Sequence, residues 1–245
     1  MNRKSCGIRP LIVLIAAALA AGSTVVNAGE IKGTVKFKGT PRNARPMKKL
    51  MADEACACMH TTPPVDEKFV YGETDEAGVV TLCNVFVWIK EGLPEKEYDM
   101  PKEPAVINQK GCTFVPHVLG VRAGQDLEVR NADKTAHNVN AQPKRNKGFN
   151  NAQPPNTRPL TKRFTREEVM VKVGCDMHTW MSCYVGVVSH PFFAVTGKDG
   201  TFSLKDVPDG KYEIEVWHEL LKTKNQTITV KGGEAASVEF VYAKP

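Results

Sequence analysis

Residues 114–139 read FVPHVLGVRAGQDLEVRNADKTAHNV, and this stretch decides the fold. Leu119, Val121, Leu127 and Val129 put apolar side chains at alternate positions on either side of the turn dipeptide Ala123-Gly124. Period-two alternation around a turn describes half-buried β-strands. The stretch then ends in His137-Asn138-Val139, and 38 residues further on the chain reads Cys175-x-x-His178-x-x-Met181.

Outward from there, almost every periodic segment alternates at period two or is a short β-branched run, so the chain is expected to be all-β. The expected strands cover residues 30–38, 79–90, 117–121, 127–131, 169–173, 184–188, 201–204, 212–218, 227–230 and 236–242. Lys198-Asp199-Gly200, Pro208-Asp209-Gly210 and Gly232-Gly233 supply turns between them. Residues 140–159, rich in Asn, Pro and Gln, read as a long irregular loop, and residues 53–78 as another. Thr165-Arg166-Glu167-Glu168 has room for one helical turn.

His137, Cys175, His178 and Met181 offer two imidazoles, a thiolate and a thioether, three of the four on one seven-residue loop. Two nitrogens and a sulfur in a plane, with a weak axial thioether, describe a mononuclear copper site for electron transfer. Soft sulfur favours Cu(I) and imidazole accommodates Cu(II), so one cage serves both states. A lone Met or buried Cys is more often core than ligand, and it is the joint spacing that carries the reading. A binuclear copper centre is excluded, because no second cysteine stands between Cys175 and His178.

With these residues in view, residues 105–190 resemble the cupredoxin family, the plastocyanin- and amicyanin-like type 1 copper domains. The resemblance lies in Phe114-x-Pro116-x-x-Leu119-x-Val121-x-x-Gly124-x-x-Leu127-x-Val129-x-Asn131-x-Asp133-x-x-x-His137-Asn138-Val139, joined to Cys175-x-x-His178-x-x-Met181 before a closing strand. It implies a Greek-key sandwich holding one type 1 copper. His137, Cys175 and His178 would be equatorial ligands and Met181 the axial one. The Asn138 backbone N–H would bond the Cys175 sulfur as a supporting contact to the cofactor, and His178 would lie near the surface where the electron passes.

A second resemblance lies in Ala194-Val195-Thr196-x-x-Asp199-Gly200-x-Phe202-x-Leu204-x-x-Val207-Pro208-x-Gly210-x-Tyr212, which is similar to the carboxypeptidase regulatory-like, or prealbumin-like, β-sandwich. That family opens with strands like Gly33-Thr34-Val35 and Val85-Phe86-Val87. Residues 29–104 and 191–245 are therefore expected to form one sandwich, into which 105–190 is inserted. The simpler arrangement is two domains in tandem.

Residues 1–28 read as a signal peptide. Arg3, Lys4 and Arg9 precede the apolar run 11–21, and Val26-Asn27-Ala28 suits a cleavage site. That run is too short to span a bilayer, which needs about 20 residues. The product is expected to be secreted or periplasmic, without a membrane span. The formal charge is +6, of which those three cations belong to the leader; the mild remainder gives no case for nucleic acid. Lys144, Arg145, Lys147, Arg158, Lys162, Arg163 and Arg166 form a run without an acid. It reads either as a solvated loop or as a basic rim that steers an acidic redox protein partner.

Beyond the leader lie Cys56, Cys58, Cys83, Cys112, Cys175 and Cys183. In an oxidising compartment disulfides are the default, and Cys112–Cys183 is the first pairing to expect, although Cys183 could instead compete for the metal. Cys56-Ala57-Cys58-Met59-His60 lacks haem-attachment spacing and reads as disulfide, free thiol or a second soft-metal site. His117 reads as a strand residue or a support to the site, and His190 and His218 as structural.

The leading function is thus an electron carrier rather than an enzyme. Only six histidines exist, none paired as His-x-His for a second copper centre, and His218-Glu219 lacks a second His in zinc-peptidase spacing. The rivals are a metal-free binding or structural module and a copper delivery protein.

Overall fold

The computed structural model describes residues 28–41, 44–74 and 76–243. The proposed leader lies outside the described residues except for Ala28, the first residue of β1. The structure is nearly all-β. It opens with β1 (Ala28–Lys38), two one-turn helices, α1 (Lys48–Met51) and α2 (Glu54–Ala57), then β2 (Tyr71–Thr74), β3 (Val80–Leu82) and β4 (Phe86–Glu91). Next come β5 (Ala105–Gln109), β6 (Phe114–Val115), β7 (Val118–Arg122), β8 (Asp126–Asn131), β9 (His137–Gln142), β10 (Phe149–Gln153), β11 (Leu160–Arg163), β12 (Glu168–Gly174) and β13 (Ser182–Val188). The chain closes with β14 (Phe193–Val195), β15 (Thr201–Pro208), β16 (Gly210–His218), β17 (Lys222–Val230) and β18 (Ala235–Ala243).

Two pairs of sheets result. In the first pair, one sheet runs β15-β1-β3-β2, with β18 parallel to β1, and the other runs β14-β4-β16-β17. In the second pair the orders are β10-β9-β12-β13-β7 and β11-β8-β5-β6. Each pair encloses its own core. Ile31, Val35, Leu82, Val87, Ile214, Val216 and Phe240 fill the first; Ile107, Leu127, Val129, Val139, Val171, Val173 and Val185 fill the second.

Strand β4 joins the two. Val87 and Ile89 face the first core, while Phe86 and Trp88, on the opposite face, pack with Val118 and Val188. Gly120 of β7 and Gly186 of β13 are register partners, and a Cβ added to either would collide with the Phe86 ring. The glycine pair therefore makes a shallow seat in which an aromatic ring lies directly on backbone.

Several sequence expectations need correction. The single strand expected over 79–90 is two, because at Asn84 (φ 57°) the chain leaves one sheet for the other. The loop expected over 140–159 contains β10, whose Asn150 pairs with Asn140 of β9. β10 carries no buried apolar alternation, and side-chain amides anchored on Asp176 help hold it beside β9. The loop expected over 53–78 contains α2 and β2. No helical turn forms at 165–168. There the N–H groups of Thr165 and Arg166 donate to Asn146 Oδ1, and the Glu168 carboxylate accepts from the backbone of Lys144, Arg145 and Asn146.

Candidate metal centre

His137 opens β9 and is fully buried. The motif Asn131-x-Asp133-x-x-x-His137 is a positioning device. Asn131 Oδ1 accepts the Asp133 N–H at 3.0 Å, and Asn131 Nδ2 donates to Thr135 O at 3.0 Å, closing the turn between β8 and β9. The Asp133 carboxylate accepts from Gly111 N (2.6 Å) and Cys112 N (2.8 Å), and its Oδ2 holds His137 Nε2 at 2.9 Å. Only Nδ1 of that ring is left for other partners.

The seven residues from Cys175 to Met181 link β12 to β13, where Gly174 pairs with Ser182. Two backbone bonds shape this loop: Met181 N–H to His178 O at 2.8 Å and Cys175 N–H to Met181 O at 3.3 Å. Asn138 clamps it to β9, its Oδ1 accepting from Asp176 N at 2.7 Å and Met177 N at 3.3 Å. The Cys175 sulfur lies 3.2 Å from the same oxygen.

One ring nitrogen each of His137 and His178, together with Cys175 Sγ, lie within 4.8 Å of one another. The two Nδ1 atoms face each other at 2.9 Å, and His178 Nδ1 is 3.8 Å from Cys175 Sγ. The outer nitrogens face carboxylates: His137 Nε2 meets Asp133, and His178 Nε2 lies 3.9 Å from Asp53. Met181 is buried in the same core as Cys175.

The electrostatics are those of a cage around a cation. Burial opposes charge on His137, but Asp133 and Cys175 outweigh it and raise its pKa to about 9. Burial also raises the Cys175 thiol, yet the His137 ring and backbone N–H groups of Asn138, His178 and Met177 bring it below the usual thiol range. His178 is lowered, by burial first and then by the charge on His137. Two imidazole nitrogens and a sulfur thus converge in a buried pocket, and a soft metal ion there would find the donors a copper site needs. The residues fit the group.

The outer wall comes from far along the sequence. Leu50 of α1 and Cys56 of α2 are fully buried in the core of the second sheet pair, and Cys56 is disulfide-bonded to Cys112. Trp180 donates from Nε1 to Cys112 O at 3.1 Å and lays its ring against His178, with 5.1 Å between centroids. His178 is consequently 6% exposed, not at the surface as the family resemblance implied. Cys183 does not bond Cys112; it is a buried free thiol on β13, and burial pushes its pKa up. His117 binds Ser182 O through Nδ1 at 3.1 Å and Glu219 through Nε2 at 2.9 Å, tying the two sheet pairs together. Within the basic run, the backbone N–H groups of Lys144 and Arg145 donate to the Glu168 carboxylate at the start of β12.

Asp133, Asp53 and Trp180 are the neighbours that reading the ligand spacing alone passes over. Asp133 stands inside the quoted motif, whereas nothing local marks Asp53 or Trp180.

No protein-family model matches this sequence, and no curated protein does. Solved structures resemble part of it. A copper-containing nitrite reductase from Thermus scotoductus SA-01 aligns at 17% identity and TM-score 0.33, over 40% of this chain and 25% of that one, so the chain spans about a quarter of that enzyme's length. A purple cupredoxin from Nitrosopumilus maritimus aligns at 21% identity and TM-score 0.30, over 34% of this chain and 98% of the other. A Cu(I) form of an amicyanin variant aligns at 16% and 0.31, over 41% and 97%. No helix among the described residues is long and apolar enough to cross a membrane.

Proposed function

We propose that this protein is a mononuclear copper electron carrier of the type 1 kind, working outside the cytoplasm, in a periplasm or after secretion, with a redox protein as its partner. The observation that carries the reading is the convergence of His137 Nδ1, His178 Nδ1 and Cys175 Sγ, with both outer imidazole nitrogens turned to carboxylates. In this reading His137, Cys175 and His178 form the plane, Met181 is the axial donor, and the Asn138 N–H supports the thiolate. Residues 105–190 form the copper unit, which residues 47–60 roof over, and the rest of residues 29–104 with 191–245 forms the sandwich that carries it.

Bound copper would supply a centre that gains and loses one electron without exchanging ligands. The chain's own residues supply the rest. Asp133 fixes the His137 ring, the two bonds across the 175–181 loop fix its three donors, and α1, α2 and Trp180 keep water away.

The remaining histidines support a carrier rather than a catalyst. His60 binds Gly111 O, His117 binds Glu219, and His190 and His218 accept backbone N–H groups. Each makes a hydrogen bond in the structure, and none of these four falls in a ligand cluster among the described residues. Donors as buried as these favour keeping the ion over handing it on.

The test is the electronic spectrum of copper-loaded protein. One copper per chain and an intense thiolate-to-Cu(II) band are expected, and Cys175→Ser should abolish the band. Copper uptake without any such band would sink the carrier reading.

A further inference from the structure

A second pair of sulfurs lies against the centre. Cys56 and Cys112, both fully buried, have sulfurs that lie with a ring nitrogen of His178 within 4.8 Å of one another. Cys112 Sγ also lies within 4.8 Å of an Asp133 oxygen and a His137 nitrogen. The disulfide therefore adjoins both imidazoles without belonging to the donor set proposed above. A disulfide sulfur is a poor metal donor, whereas a thiolate is a strong, soft one.

We propose that Cys56 and Cys112, once reduced, form with His178 a second metal site for a soft monovalent cation, Cu(I), and that oxidation of the two thiols closes it. This site goes beyond the electron-carrier reading and shares only His178 with it.

The surroundings suit such a site. Met47, Met51 and Met59 pack against the same core, so the neighbourhood is rich in soft thioethers. Access runs through the thinnest part of the fold. Each helix over the disulfide is one turn of four residues, and α2 is held at its start by Asp53 accepting the Cys56 N–H at 3.0 Å. Helices this short have little stability of their own. Local opening of residues 47–60 exposes the disulfide while the sheets stay folded.

The chemistry balances with a dithiol as reductant. Its two thiols become a disulfide, the Cys56–Cys112 bond breaks, and each freed sulfur takes one proton. Cu(I) uptake then releases those protons to solvent, and the metal keeps its oxidation state.

The experiment offers Cu(I), as its acetonitrile complex without oxygen, to the purified full chain, with or without prior reduction by a water-soluble phosphine. The phosphine takes up a water oxygen as the disulfide takes up two electrons and two protons. Copper per chain is counted after desalting. Reduced protein should retain one more Cu(I) than unreduced protein, and the double variant Cys56→Ser, Cys112→Ser should retain the same amount under both conditions. Cys175→Ser should still show the reduction-dependent gain, so failure of the carrier reading and failure of this one are separable. Equal uptake by reduced and unreduced wild-type protein overturns the proposal. In reduced wild-type protein, Cu(I) should also shield Cys56 and Cys112 from iodoacetamide; alkylation of both in its presence overturns the proposal as well.

Discussion

Between β1 and β16 the molecule buries hydrocarbon, whereas between β5 and β13 it buries chemistry. The first core is built from Ile31, Val35, Leu82, Val87, Ile214, Phe240 and their like, without a sulfur atom. Its two fully buried tyrosines have their hydroxyls bonded, Tyr212 to Pro208 O and Tyr242 to Val216 O and Lys222 O. The second core holds Cys56, Cys112, Cys175, Cys183 and Met181, with Asp133, His137 and His178 buried at one end. Both are two-sheet structures, so architecture does not separate them. What separates them is one loop and one turn whose backbone groups satisfy a buried carboxylate, which makes burial of a charged cluster tolerable.

The largest effect expected of a single residue breaks the apolar side of this comparison. Phe240→Ala should cost about 3–5 kcal/mol of stability by opening a cavity. Chemical denaturation measures it, and the visible spectrum of copper-loaded protein should not change; a lost band would mean that the two cores are not independent.

Acid should act next, through His190 and His218 beside the first core. In His190 burial lowers the pKa to about 4, with Glu167 and a bond to Ile89 raising it and Arg122 lowering it. In His218 burial again lowers it to about 4, opposed by Glu219 and reinforced by His117. Both Nδ1 atoms accept backbone N–H groups, from Phe192 and from Leu220, and so must be unprotonated. The unfolded chain binds the extra protons first. The stabilisation is therefore complete above pH 6.5 and is lost as pH falls towards 4, up to roughly 3 kcal/mol for each histidine. Denaturation midpoints measured across that range should fall, and with both histidines changed to Gln the slope should flatten.

The smallest effect sharpens the polar side. Asp133→Asn keeps the shape but removes the charge that holds His137, and copper affinity should drop about 10–100-fold. Competition with a chelator measures it, and an unchanged affinity would mean that the carboxylate serves the fold alone.

Much of this is legible in the residues, for reasons that differ by position. Strands such as β1, β8, β12, β13 and β16 announce themselves because one face is apolar. β10 does not, since its Asn150 is held by Asp176, together with Asn138 and Asn140 of β9, and not by burial of an apolar face. The spacing names His137, Cys175 and His178 because three of the four candidate donors share one short loop, and the structure brings those three together. The roof over His178 is not readable. It depends on a disulfide between residues 56 positions apart, and on two helices too short to leave a periodic trace. The resemblance therefore placed His178 at the surface, where the α1–α2 segment in fact lies over it.

That roof has a temporal consequence. His137, Cys175, His178 and Met181 are each at most 6% exposed, so an ion seated among them has no direct route to solvent. Its residence time would then depend on local opening of residues 47–60 as well as on the strength of its bonds to nitrogen and sulfur, and exchange should be slow even where affinity is modest.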